Sequence, residues 1–339
     1  MRIAFLDHSG CGLGLAIGLV ELGHHVAYTG PQRWAGDPHG DVERMIRELL
    51  DRYCGGNTPR VDTDADLLVI LDGFADLLDS LHAGRQVVCR IDLAAPLRAT
   101  LNPLIYPERL RLWLQLASAA RSVVAIDCSD LRGPCEPAFE RLPHCALLAR
   151  EVGRDETGPW RPFPFLYNPV LLWLEHLRPQ REWLVPGSSR RATWDWAFCG
   201  TVDHPRYRGR RQALLQEVGR RWPGLRGCVP TTVPFAEVLR VLQSSRCGLD
   251  LPGAGELCFR LHECLALGVP VLRPWPFSIA LPPGVEAAIV RDPAASPALD
   301  LEAVRAVHLQ HYAPRVAAAA LLANAAATRQ REASVAAQV

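Results

Sequence analysis

At 339 residues, with 49% hydrophobic and 22% charged side chains, the chain is long enough for two cores and is not disordered. A formal net charge of +1 excludes a global field that would gather nucleic acid or an acidic membrane surface. All 37 Lys+Arg positions are arginine, so a phosphate must be held by guanidinium forks, backbone amides or helix N-termini. The eleven cysteines are scattered without a CxxC pair, which points to reduced thiols rather than to disulfides or a zinc site. The chain opens on the strand pattern MRIAFL, so no signal peptide is expected. Its longest apolar stretch, 316–327, is too short and alanine-rich to span a bilayer. A cytoplasmic protein is expected.

In chain order, Ile3 to Leu6 reads as a strand, followed by the loop Asp7-His8-Ser9-Gly10-Cys11-Gly12-Leu13-Gly14. An apolar helix from Leu15 to Leu22 stops at Gly23, and His25 to Tyr28 is a second strand, which completes a βαβ unit. Leu67 to Leu71, Val87 to Ile91 and Val123 to Ile126 are further continuous apolar strands. Such runs indicate a parallel sheet covered on both faces. The middle section holds a helical stretch, Pro169 to Leu177, then the linker candidate Pro186-Gly187-Ser188-Ser189.

After it the alternation restarts. Strands are expected at Trp196 to Cys199, Cys247 to Leu251 and Val269 to Leu272, and helices at Arg210 to Trp222, Phe235 to Gln243 and Leu257 to Leu267. Residues Leu301 to Arg331 read as helix. One α/β architecture thus occurs twice, and ligands of open parallel sheets bind beyond the carboxyl ends of the strands.

Two loops compete for a phosphate. Gly10, Gly12 and Gly14 fit a tight turn after the first strand, but a dinucleotide site requires G-x-G-x-x-G and an acid closing the second strand, which here ends Tyr28-Thr29-Gly30. The stretch Leu249 to Pro274 is richer. A buried strand runs into a glycine loop, a helix carries Arg260 and Glu263 at i, i+3, Gly268 ends that helix, and Pro270 precedes the next strand. Amides and helix dipole at one end suit a diphosphate, and a carboxylate further along suits a ribose diol. The plainer readings are a solvated Glu263 and an Arg260 paired with Glu256 four residues earlier.

Arg260-x-x-Glu263 followed by Ala266-Leu267-Gly268-Val269-Pro270-Val271 resembles the donor-binding segment of GT-B glycosyltransferases of the exostosin-like and spore-coat type. Cys258 stands where that group usually has serine. Glu263 also resembles the second glutamate of the Glu-x7-Glu motif of retaining enzymes, but the first position of that spacing falls on Gly255, one residue from Glu256. Phe198-Cys199-Gly200-Thr201 with Arg206 and Arg208 to Arg211 is similar to the opening of the same domain.

The resemblance implies a GT-B fold of two facing Rossmann-like domains with an interdomain cleft. The expected divisions are an acceptor-side domain (1–186), a nucleotide-sugar domain (187–312) and a closing segment (313–339) that packs back on the first. The substrate would be a nucleotide-diphosphate sugar, with no cofactor, an acceptor of unknown kind, and no metal, since the two Asp-x-Asp triplets, Asp62-Thr63-Asp64 and Asp64-Ala65-Asp66, precede a strand and read as turn residues. Donor-binding candidates are Thr201, Arg206, Arg210, Gly255, Arg260 and Glu263; Gly10, Gly12 and Gly14 would form the cleft loop. The catalytic base falls to His8 or, as second choice, Asp92, each at a strand's carboxyl end, where an ordinary loop or turn residue is equally at home. A nicotinamide-dependent oxidoreductase and a non-catalytic nucleotide-sugar-binding protein are the alternatives.

Overall fold

The computed structural model describes residues 1–7, 11–30, 41–58, 65–72, 107–129, 137–165, 167–177, 192–203, 207, 209–230, 233–253, 255–293 and 300–337. Contacts divide the chain into two units, Met1–Phe165 with Pro314–Val339, and Leu166–Ala313. The linker candidate 186–189 and the strand expected at 87–91 lie outside the described residues.

In the first unit, β1 (Arg2–Asp7), β2 (His25–Thr29), β3 (Leu67–Asp72), β4 (Val123–Asp127), β5 (Cys145–Ala149) and β6 (Arg161–Pro162) form one parallel sheet. Their order is β2-β1-β3-β4-β5-β6. The chain winds from β1 out to β2 and then back past β1 to β3, so the winding direction reverses between the carboxyl ends of β1 and β3. Every residue of β3 and β4 is buried, as a sheet covered on both faces demands. Ala4, Leu6, Leu68, Ile70, Val123 and Ala125 pack with Leu110, Trp113 and Leu116. Those last three sit on α3 (Pro107–Ala119), which follows α1 (Leu13–Glu21) and α2 (Asp41–Cys54) in the chain.

The second unit contains α4 (Pro169–Leu177), β7 (Trp194–Ala197), α5 (Arg210–Arg221), β8 (Gly227–Cys228), α6 (Phe235–Gln243), β9 (Ser245–Leu249), α7 (Phe259–Leu267), β10 (Val271–Leu272), β11 (Ile289–Val290) and α8 (Leu301–His311). Its strands are again all parallel, in the order β11-β10-β9-β7-β8. Counted within each unit, both sheets follow 2-1-3-4-5, the first adding β6 at its far edge. The described chain is therefore a doubled α/β architecture of two Rossmann-like units, and the second sheet's switch point lies between the ends of β7 and β9.

Packing there is close. A Cβ on Gly248 of β9 would come within 2.2 Å of Cys264 Sγ, so α7 sits directly on the strand. Gly268, at φ 69°, ends α7 in the left-handed region that favours glycine. The stretch Leu301 to Arg331 is not one helix: it breaks at Tyr312-Ala313, and α9 (Pro314–Ala336) begins on a proline. Proline disfavours helical backbone in the residue before it and suits the first helical position. In the first unit α9 lies along α1, and a Cβ on Gly18 would meet the Pro314 carbonyl at 2.0 Å.

Candidate functional site

The switch point of the second unit is held by one buried guanidinium. Arg211, only 7% exposed, projects from the first turn of α5. Its Nη1 donates to the Thr201 carbonyl (2.8 Å), its Nε to the Pro252 carbonyl (3.2 Å) and its Nη2 to the Leu251 carbonyl (3.4 Å). Nη2 also reaches Cys258 Sγ (3.3 Å), and the guanidinium lies over the Tyr207 ring, 3.9 Å from its centroid. The loop after β7 and the loop after β9 are thus tied to a single planar cation, a geometry that lysine cannot reproduce. All three backbone partners are carbonyls, so this bracing occupies acceptors and not amide donors.

The far side of the β9 loop is held by a second arginine. Arg273, 2% exposed, pairs through Nη1 with Asp250 Oδ2 at 2.7 Å and donates from the same nitrogen to the Glu256 carbonyl at 3.1 Å. Its guanidinium covers Phe277, 3.7 Å from the ring centroid. The Glu256 carboxylate accepts from the Ser278 amide (2.9 Å) and hydroxyl, with Arg273 Nη2 at 3.6 Å. Glu256 is therefore committed to Arg273 and Ser278, and it is not the partner of Arg260.

That partner is Glu263. Helix α7 starts at Cys258, whose side chain makes no capping hydrogen bond; its Sγ lies 3.3 Å from the Leu251 carbonyl instead. Because i and i+3 share a helix face, Arg260 forms an ion pair with Glu263, and its Nη2 also donates to the Cys199 carbonyl beyond β7. Glu263 is 2% exposed, and its Oε1 accepts from Asn168 Nδ2 at 2.8 Å. Burial raises the neighbouring Cys199 thiol to about 11 and Cys264 well above its ordinary value, so both stay neutral. A buried carboxylate held by one guanidinium and one amide keeps lone pairs for further hydroxyl donors.

Other candidates fall into different places. Thr201, whose carbonyl accepts from Arg211, is exposed, and Gly255 is buried in the β9 loop. Arg210 is the exposed first residue of α5. The structure brings these three to the same end of the second sheet as Arg260 and Glu263. His8, Gly10, Asp92 and Arg206 lie outside the described residues. Gly12 precedes α1, and Gly14 is the second residue of that helix, not part of a loop.

At the first unit's switch point the chemistry is reversed. The buried Asp7 closes β1, and its Oδ2 accepts the Gly12 amide at 2.7 Å and the Tyr28 hydroxyl at 2.8 Å. Burial, reinforced by Asp7, pushes the Tyr28 phenol up, so it remains a protonated donor. A dinucleotide site would need the Gly12 amide for pyrophosphate, but a carboxylate already occupies that donor and would repel the anion.

Sequence pattern does not mark Asn168 or Arg273, and it places Arg211 in the arginine cluster without telling that it is the member turned inward. Asn168-Pro169 does carry an N-cap signature ahead of α4, but nothing local tells that an arginine will be buried. Of the aromatics between 160 and 183, Phe163, Phe165, Tyr167 and Trp173 are buried, Trp160 is half-buried, and Trp183 lies outside the described residues. Among the described residues, no cluster of three His, Cys, Asp or Glu could hold a metal, and no helix is long and apolar enough to cross a membrane.

No family model matches the chain, and no curated protein sequence does. Among solved structures it is similar to a UDP-GlcNAc 2-epimerase from Neisseria meningitidis, at 10% identity over 94% of each chain and a TM-score of 0.38. It is also similar to MurG of Acinetobacter baumannii, at 13% identity over 94% of each chain and a TM-score of 0.34. A sucrose-phosphate synthase from Thermosynechococcus elongatus matches at 12% identity over 100% of each chain, with a TM-score of 0.32. At such scores a likeness assigns neither family nor activity.

Proposed function

We propose that the chain is a GT-B-type glycosyltransferase that binds a nucleotide-diphosphate sugar at the switch point of its second unit and transfers the sugar to an acceptor hydroxyl. The observation that carries this reading is the joint fixing, by Arg211, of the Thr201 and Leu251-Pro252 loops beside the Arg260–Glu263 pair. Bracing through carbonyls suits loops whose amides are to face an anion. Glu263 is assigned the ribose hydroxyls. Its charge is compensated in advance by Arg260, which limits the cost of keeping a buried carboxylate.

Since Arg260 is engaged with Glu263 and Cys199, the diphosphate falls to the β9 loop around Gly255, the start of α7, Thr201 and the exposed Arg210, with Arg206 as a further candidate. These groups would stabilise the leaving diphosphate electrostatically. His8 and Asp92 remain the candidates for an inverting base. The exostosin-like subtype rests on the motif alone.

A thermal-shift panel of UDP-, GDP-, dTDP- and CDP-sugars tests the reading. At least one is expected to stabilise the protein, and Glu263→Gln is expected to remove that shift. A shift that survives in Glu263→Gln overturns the ribose assignment. A stabilising sugar nucleotide that is never hydrolysed or transferred would make the chain a binding protein instead.

A further inference from the structure

We infer that Asn168 is a positioning residue for the donor site: its side-chain amide orients the Glu263 carboxylate while its oxygen caps α4. This inference rests on the proposed donor reading.

The two halves of the Asn168 amide are told apart by their partners. The Leu172 amide donates to the Asn168 main-chain carbonyl at 3.1 Å, and the Val170 amide donates to its Oδ1 at 2.8 Å. Both bonds mark Asn168 as the N-cap of α4. With Oδ1 accepting from an amide N–H, the opposite face of the side chain must be Nδ2, so the group aimed at Glu263 Oε1 is a donor. Asn168 is 8% exposed and Glu263 2%, so little water competes for this bond. A hydrogen bond to a buried charge is among the stronger ones.

The geometry divides the carboxylate between two holders. Asn168 fixes Oε1 and Arg260 pairs with Oε2, so the plane of the carboxylate is set from α4 on one side and from within α7 on the other. Arg260 alone leaves that plane free to rotate about the ion pair, because a single i, i+3 contact constrains one oxygen. A ribose diol needs both acceptor directions fixed, and preorganised acceptors gain most of their affinity by not having to be ordered on binding. The residue sits nearly a hundred positions before Glu263, which is why motif spacing gives no hint of it.

Asparagine to aspartate separates the two roles. Aspartate caps helices as well as asparagine does, so Asn168→Asp keeps the Val170 bond and the side chain's size. What changes is the group facing Glu263, from an N–H donor to a second carboxylate oxygen. Two facing carboxyls repel when both are ionised and share a proton when one is not. Arg260, Cys199, Cys264 and Asp250 bear on this site electrostatically, Asp250 being itself paired with Arg273; Tyr167, next to Asn168, meets Glu175 and His308, and His262, next to Glu263, packs on Tyr312. Neither thiol titrates in the tested range, since burial raises both.

The test is calorimetric titration of the stabilising nucleotide sugar against wild type, Asn168→Asp and Glu263→Gln, near pH 8 and near pH 5.5. Asn168→Asp is expected to weaken binding about tenfold to a hundredfold near pH 8 and to recover much of that loss near pH 5.5, with wild type lacking this recovery. Circular dichroism should show the helix content kept in both variants. If Asn168→Asp binds like wild type at both pH values while Glu263→Gln loses binding, the Asn168 inference falls and the donor reading stands. If the loss in Asn168→Asp is the same at both pH values, the residue acts only through folding and the inference also falls. If no nucleotide sugar binds wild type, the donor reading itself fails and takes the inference with it.

Discussion

The two units share a strand order and differ in the sign of the charge that braces their switch points. In the first, Asp7 takes the Gly12 amide and the Tyr28 hydroxyl, so an anion consumes donors. In the second, Arg211 takes the Thr201, Leu251 and Pro252 carbonyls, so a cation consumes acceptors. An anionic ligand needs unspent donors and a positive field. On the proposed reading, the same topology prepares the second crevice for a diphosphate and makes the first unfavourable for one. Strand order alone does not set the charge that braces a switch point; the residue that ties the loop down does.

The largest expected effect follows from cutting the cationic brace. Arg211→Ala leaves three carbonyls without their donor and should cost the second unit about 3–5 kcal/mol in denaturant unfolding, along with the nucleotide-sugar shift. Arg211→Lys keeps the charge but not the fork, and should recover less than half of that loss. Full recovery by lysine would mean that charge rather than geometry matters. Next comes Gly248→Ala, whose Cβ would press on Cys264 Sγ; overpacking of this kind should cost about 1–3 kcal/mol.

The anionic brace gives the counterpart. Asp7→Asn keeps the shape and removes the charge, and about 1–2 kcal/mol should be lost from the first unit. Nucleotide-sugar affinity should be unchanged, and a large change would merge the two crevices into one function. A pH experiment sharpens the contrast from another side. His308, 1% exposed, has its pKa lowered to about 3 by burial, with Arg305 adding to the effect. The unfolded chain binds a proton at the ordinary histidine value and the folded chain does not, so stability is lost as pH falls from about 6.5 toward 3. The expected slope is up to about 1.4 kcal/mol per pH unit, read from melting curves, and His308→Gln should flatten it. The smallest effect belongs to the exposed Arg44–Glu48 pair on α2, where Arg44→Ala should change stability by about 0.5 kcal/mol or less.

Much of this fold is legible in the sequence. Strands β1, β3 and β4, buried on both faces, announce themselves as apolar runs closed by aspartate, and the edge strand β2 as a shorter run closed by a turn. Helices α4 and α6 begin and end where pattern and proline place them. The two-residue strands β6, β8 and β11 carry no period to read, and β5, CALLA, is as long as β4 but lacks its β-branched residues. Helix α2 was missed as well, although its polar and apolar residues alternate at helical spacing.

In the site, the i, i+3 placement of Arg260 and Glu263 on one helix face was readable from spacing, since helix geometry alone fixes it. The contacts that give the site its character were not. Arg211 to Pro252, Arg273 to Asp250 and Asn168 to Glu263 span 41, 23 and 95 residues, and only the folded sheet brings them together. A buried arginine is written with the same letter as a solvated one. The cluster around Arg210 was visible, but which member turns inward depends on the strand it meets.

The central claim is that the second unit, and not the first, receives the nucleotide sugar. Hydrogen exchange resolved by segment, with and without the stabilising sugar nucleotide, tests it most directly. Slowed exchange should concentrate in 199–203 and 251–263. Slowing confined to 11–14, with those two segments unchanged, would contradict the account.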